Sequence, residues 1–140
     1  MAFREKTAWL TLVCMVIAYT TYFTLMGLRP APPTNMEIIV TFGAVTVAQA
    51  VAVIVGMIVI AVTATREANQ PADERDKAIA RRGASIAYYV LMVEMILVGV
   101  VMPFTEPAWK IIQTALLALV IAQGVQLAVV LLSYRRGWHG

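Results

Sequence analysis

Four apolar runs, separated by three short polar ones, pattern this 140-residue chain. The runs cover 7–27, 36–65, 83–104 and 108–133. At about 1.5 Å of rise per residue, each is long enough as a helix to cross about 30 Å of hydrocarbon. The pattern predicts an all-α polytopic membrane protein, a bundle of four transmembrane helices in a single domain over 1–140. The first run follows a short charged head, MAFREK, as a signal peptide would. It is nearer twenty residues than ten, however, and no A-x-A site follows, so it reads as a retained span.

The breaks between runs have distinct chemistry. LRPAPPTN (28–35) holds three prolines and cannot continue a helix, and PFTEP (103–107) repeats the device before the fourth span. REANQPADERDKAIARR (66–82) is charged instead of turn-like. Pro71 fits a first helical turn, Asp73 and Glu74 fit an N-terminus, Asp73 faces Lys77 at i+4, and Arg81 and Arg82 end the segment. These signals predict a short helix running into the third span. Glu37 and Glu106 both fall on the outer side, as helix caps, ligand contacts at that surface or solvated groups.

Composition sharpens this picture. The chain is 61% hydrophobic and 14% charged, with a mean hydropathy of +0.79, against about 25% charge in soluble domains. Its net charge of +3 is set by Lys and Arg beside the apolar runs, which excludes a basic nucleic-acid face and speaks to orientation. Nine of the eleven lie in the head (Arg4, Lys6), the middle loop (Arg66, Arg75, Lys77, Arg81, Arg82) and the tail (Arg135, Arg136); Arg29 and Lys110 lie in the other turns. Both termini and the 66–82 loop are therefore expected on the cytoplasmic side of an inner (plasma) membrane. Trp9, Tyr88, Tyr89, Trp109 and Tyr134 lie near span ends, where an aromatic belt sits. One cysteine, Cys14, and one histidine, His139, leave no intramolecular disulfide and no Cys/His set for zinc, haem or nucleophilic catalysis. No metal or other cofactor is expected.

Within the spans, polar side chains stand out. Glu94 lies about 12–15 Å from either end of its run, too deep for a Glu side chain to reach water along its own helix. Such an acid must be paired, neutral or set in a wet cavity. Tyr19, Gln49 and Gln123 fall near the midpoints of the other three spans, and Gln126 is one turn from Gln123, so a single polar layer is expected at mid-depth. Its readings are interhelical glue, a proton- or cation-binding site on a transport path, or contact with a second subunit. In the second span, Ala44, Ala48, Ala52 and Gly56 recur every fourth residue, a small-residue ridge along which another helix can approach, within one chain or between two. Asp73, Glu74, Arg75, Lys77, Arg81 and Arg82 form a candidate docking surface for a cytoplasmic protein, and Arg81 and Arg82 a candidate site for anionic lipid headgroups.

At DERDKAIARRGASIAYY, 73–89, the chain resembles a loosely defined group of small four-span prokaryotic membrane proteins of unknown function, in which a D-E-R-x-x-x-I-x-x-[KR] segment leads into the third helix. The resemblance implies a prokaryotic inner membrane and no activity. Small multidrug transporters are also four-span, but their membrane-embedded glutamate belongs to the first helix, and here that helix has none. The functional expectation is a non-enzymatic accessory, regulatory or structural component, acting through contacts with lipid, a second copy or another membrane protein. The alternative is a small oligomeric proton-coupled transporter or channel using Glu94. An enzyme acting at mid-depth would need more than one titratable group there.

Overall fold

A computed structural model describes residues 3–65, 71 and 73–137. Arg66, Trp138 and His139, with most of the connection before Asp73, lie outside those residues. Four helices are long and apolar enough to cross a membrane, the architecture of a multi-pass membrane protein. They are α1 (Phe3–Gly27), α2 (Asn35–Thr63), α3 (Glu74–Ile96) and α4 (Ala108–Arg135). Between α3 and α4 the chain passes through a π-helical turn, Leu97–Val101, and a 3-10 turn, Met102–Phe104.

Local chemistry explains the ends. Thr34 starts α2 with a capping box: its hydroxyl accepts from the Glu37 N–H, and the Glu37 carboxylate accepts from the Thr34 N–H at 2.8 Å. Pro33 and Ile38, the positions of a hydrophobic staple, are both buried. From Glu74 the charged segment is helical and runs without a break into the third span, as expected. Pro71 stays outside that helix, and Asp73 is its N-cap, accepting from the Glu74 N–H at 2.7 Å. With the Asp73 carboxylate turned to the backbone, Lys77 pairs with Glu74 at 2.7 Å and not with Asp73. At the other end of the span, Pro103 has no N–H to donate and its ring would crowd the Gly99 carbonyl. The preceding ladder opens into the wider π turn, and the chain then tightens into 3-10 geometry.

Lipid supplies no hydrophobic drive between helices, so close packing and hydrogen bonds must hold them. α4 is the hub. It packs most extensively on α3, then on α1, and less on α2, while α1 and α2 form their own hairpin. At Gly83 the α3/α4 crossing leaves no room for a side chain: a Cβ there would lie 2.8 Å from Val130 Cγ2 and 3.1 Å from the Gln126 backbone oxygen. The α1/α2 seam is made of side chains. Leu10 covers Gly56, whose added Cβ would lie 2.6 Å from Leu10 Cδ2. Tyr19 stacks on Phe42, with centroids 5.2 Å apart and planes 20° from parallel, and Tyr22 meets the same ring edge-on at 5.2 Å.

The described ends of α1 and α4 come together, and α3 joins them. Asp76 accepts from Arg4 Nε at 3.2 Å and from the Tyr134 hydroxyl at 2.7 Å, and Arg135 lies over the Trp9 ring, 5.1 Å from its centroid. We term this the terminal end and the opposite one the turn end.

Candidate functional site

Glu94 is on the stripe of α3 that faces α4, in line with Ile79, Gly83, Ala87 and Val98. One carboxylate oxygen, Oε2, is shut away from solvent without a hydrogen-bond partner among the described residues. It borders a cavity of about 90 Å³ lined by Leu97 and Val98 from its own strand of chain and by Thr114, Leu117, Ala118 and Ile121 of α4. Such a volume holds a few water molecules. Thr114 spends its hydroxyl proton on the Lys110 carbonyl at 2.9 Å, so its oxygen keeps only acceptor capacity.

The expected polar layer is not assembled around this acid. Tyr19 is buried and its hydroxyl shares a hydrogen bond with Thr46 Oγ1 at 3.2 Å, across the α1/α2 seam. Gln49 is half-buried on the face of α2 toward α1, and Gln123 is exposed on α4. Among the described residues no hydrogen bond joins Glu94 to Tyr19, Gln49, Gln123 or Gln126. The reason is register. Gly83 meets Gln126, and Glu94 lies across from Ala118, which puts Gln123 about 7 Å nearer the terminal end than the acid. Counting inward from the ends of apolar runs misses this offset, because the helices extend past the runs by different amounts.

A different polar set is brought together. Tyr19, Tyr88, Gln123 and Gln126 line a groove of about 570 Å³ whose floor is α4 and whose walls are α3 on one side and Tyr19 and Phe42 of the first hairpin on the other. α2 and α3 do not close over it. Tyr88 is 62% exposed and faces both the groove and the surroundings. Gln123 makes no hydrogen bond with another described residue, although it lies several turns inside α4. The buried Tyr22 hydroxyl lies beside Gln113, with Arg29 within electrostatic reach.

The small-residue ridge divides. Gly56 is covered by Leu10, whereas Ala44, Ala48 and Ala52 are exposed, on the side of α2 that faces away from the rest of the chain. α2 instead packs inward through Ile38, Phe42, Thr46, Gln49, Val53 and Gly56, a stripe that mixes sizes and so lacks a small-residue signature. Of the charged segment, Asp73, Glu74 and Lys77 serve the helix itself, Arg75 is half-buried, and Arg81 and Arg82 are exposed. Asp76, which no motif singled out, is the residue that ties three helices.

Among the described residues no three His, Cys, Asp or Glu side chains gather at metal-binding distance, and Cys14 is a half-buried free thiol. No family model, no curated protein and no solved structure matches the chain. The resemblance at 73–89 therefore rests on those residues alone.

Proposed function

We propose that this is a multi-pass protein of a prokaryotic inner membrane, with both termini and the 66–82 loop cytoplasmic, acting without catalysis as an accessory, regulatory or structural component through contact with a further transmembrane helix. The observation that carries this reading is Gln123, an amide without a partner among the described residues, in an open groove at membrane depth. Amides in hydrocarbon seek interhelical hydrogen bonds, worth about 0.6–2 kcal/mol each. A helix from a second copy or from another membrane protein, lying in the groove, supplies one. The outward Ala44/Ala48/Ala52 ridge offers a second close-approach surface, and Arg81 one for a cytoplasmic protein.

The test is the mass of the protein purified in mild detergent. A complex of two or more chains, weakened by Gln123→Leu while the helices stay folded, is expected; a monomer with no second chain, in wild type and variant alike, refutes the reading.

One observation supports a proton- or cation-handling reading beside it: the unpartnered Glu94 oxygen next to the π turn, since π segments in helices often mark functional positions. That reading expects a proton flux into liposomes that Glu94→Gln abolishes, and an equal flux in the variant removes it.

A further inference from the structure

Between α3 and α4 the cavity beside Glu94 offers few oxygens and little room. We propose, resting on the proton- or cation-handling reading of that acid and naming its ligand, that Glu94 binds a proton: its carboxyl group carries an exchangeable hydrogen on Oε2, and one water molecule in the cavity joins it to Thr114.

Oxygen count and volume decide against other cations. Glu94 and Thr114 bring side-chain oxygens to the cavity, and the remaining lining side chains are Leu, Val, Ala and Ile. Calcium takes about six to eight oxygens and magnesium a near-octahedral set, and a monovalent ion also needs its hydration shell replaced by several protein oxygens. Among the described residues no three His, Cys, Asp or Glu gather to supply them. About 90 Å³ is the liquid volume of about three water molecules, too small for a bulky organic cation. A proton needs neither a shell nor that space.

Charge points the same way. No Lys, Arg or His lies between Gly83 and Phe104, and at the depth of the acid the element packed on α3 is α4. Lys110 of α4, one turn from Thr114, holds Glu106 at 2.7 Å, and Arg29 at the turn end holds Glu37 at 3.5 Å. The other titratable side chains around the seam are phenols: Tyr88 and Tyr89 on α3, toward the terminal end, and Tyr22 of α1, beside Gln113. A carboxylate at position 94 therefore has no counter-charge among the described residues, and an unpaired anion in hydrocarbon is costly enough that the neutral acid prevails. Oε2 has no partner among those residues, and Thr114, its hydroxyl proton donated to the Lys110 carbonyl, can only accept. A water between them accepts from the acid O–H and donates to Thr114, which gives it the minimum of about two polar partners that a buried water needs. Leu97 and Leu117, 53% and 39% exposed, flank the cavity, so a lipophilic reagent reaches the acid from the hydrocarbon.

The experiment is labelling of the full chain in liposomes with dicyclohexylcarbodiimide at neutral pH. The neutral acid adds across a C=N bond of the reagent: the carboxyl oxygen bonds to the central carbon, the proton goes to nitrogen, and an O-to-N acyl shift gives a stable N-acylurea with no leaving group. Intact mass should rise by one carbodiimide per chain, peptide mapping should place it on Glu94, and Glu94→Gln should abolish it. Excess sodium or calcium should not slow the labelling. Infrared spectra should show a carboxylic-acid carbonyl band that is lost in Glu94→Gln, moves in heavy water as its hydrogen exchanges, and rises in frequency in Thr114→Val, where the water loses a partner. No label on Glu94, or protection by either metal ion, would overturn the proton assignment, and an unshifted band in Thr114→Val would overturn the shared water. Label on Glu94 without proton flux upholds this site and removes the transport reading; a flux that Glu94→Gln abolishes, with no label on Glu94, does the reverse. Circular dichroism checks that each variant keeps its helix content. Should a variant misfold, the position of the label in the wild-type chain and its indifference to sodium decide.

Discussion

The two hairpins are joined by different means. In α3/α4 the backbones themselves approach, because Gly83 lets the Gln126 carbonyl come within 3.1 Å of where a side chain would begin. In α1/α2 the contacts are made by side chains: Leu10 over Gly56, and Tyr19 and Tyr22 around Phe42. Both seams contain a glycine with no room for a Cβ, yet only one of the two faces something that cannot move. Crowding against backbone must displace a helix, whereas crowding against a leucine tip asks for a rotamer change.

That contrast sets the largest expected effect. Gly83→Ala should lower stability by about 1–3 kcal/mol in an SDS-unfolding titration, despite the better helix propensity of alanine. Gly56→Ala should change it by less than about 0.5 kcal/mol, the gain of about 0.5–1 kcal/mol in propensity offsetting the displaced Leu10. Equal losses at the two positions would show that the seams do not differ as described. Next in size is Asp76, the tie between hairpins. Asp76→Ala should cost about 1–2 kcal/mol, most of it from the Tyr134 hydrogen bond, since Arg4 is 46% exposed and its ion pair is weakened by solvent. A double-mutant cycle with Tyr134→Phe should then show coupling, and strict additivity would contradict a shared bond. Smallest is Tyr19→Phe, which keeps the stack on Phe42 and removes the bond to Thr46; about 0.6 kcal/mol is expected by the same titration.

Much of this frame can be read from the chain before any coordinates. Uninterrupted apolar runs mark the spans, the prolines at 30, 32 and 33 mark the first turn, and Thr34 with Glu37 is a capping pair visible in the letters. The interior was less legible, for a physical reason. Depth depends on helix-to-helix register, which Gly83 sets, and Gly83 reads as nothing more than the first residue of an apolar run. Glu94 consequently belongs to the α3/α4 seam near Ala118, while Tyr19, Gln123 and Gln126 share a groove without it. Periodicity held the correction: Ile79, Gly83, Ala87, Glu94 and Val98 fall on one helical face and point the acid at a single neighbour. The alanines at 44, 48 and 52 were ambiguous by nature, since small residues spaced by four look the same whether they face this chain or another. In a soluble protein, exposure would have been signalled by polarity; here both faces are apolar, and α2, whose most apolar window holds no buried residue, gives no such sign.

The central claim is that Gln123 meets a polypeptide in the groove. It is tested most directly by placing a benzophenone amino acid at position 123 in cells and irradiating intact membranes, with Ile17, 63% exposed on α1, as the reference site. A discrete protein adduct at position 123, absent at position 17 and suppressed when the groove is narrowed by Ala84→Leu, is the predicted result. Adducts to lipid alone at both positions would contradict it.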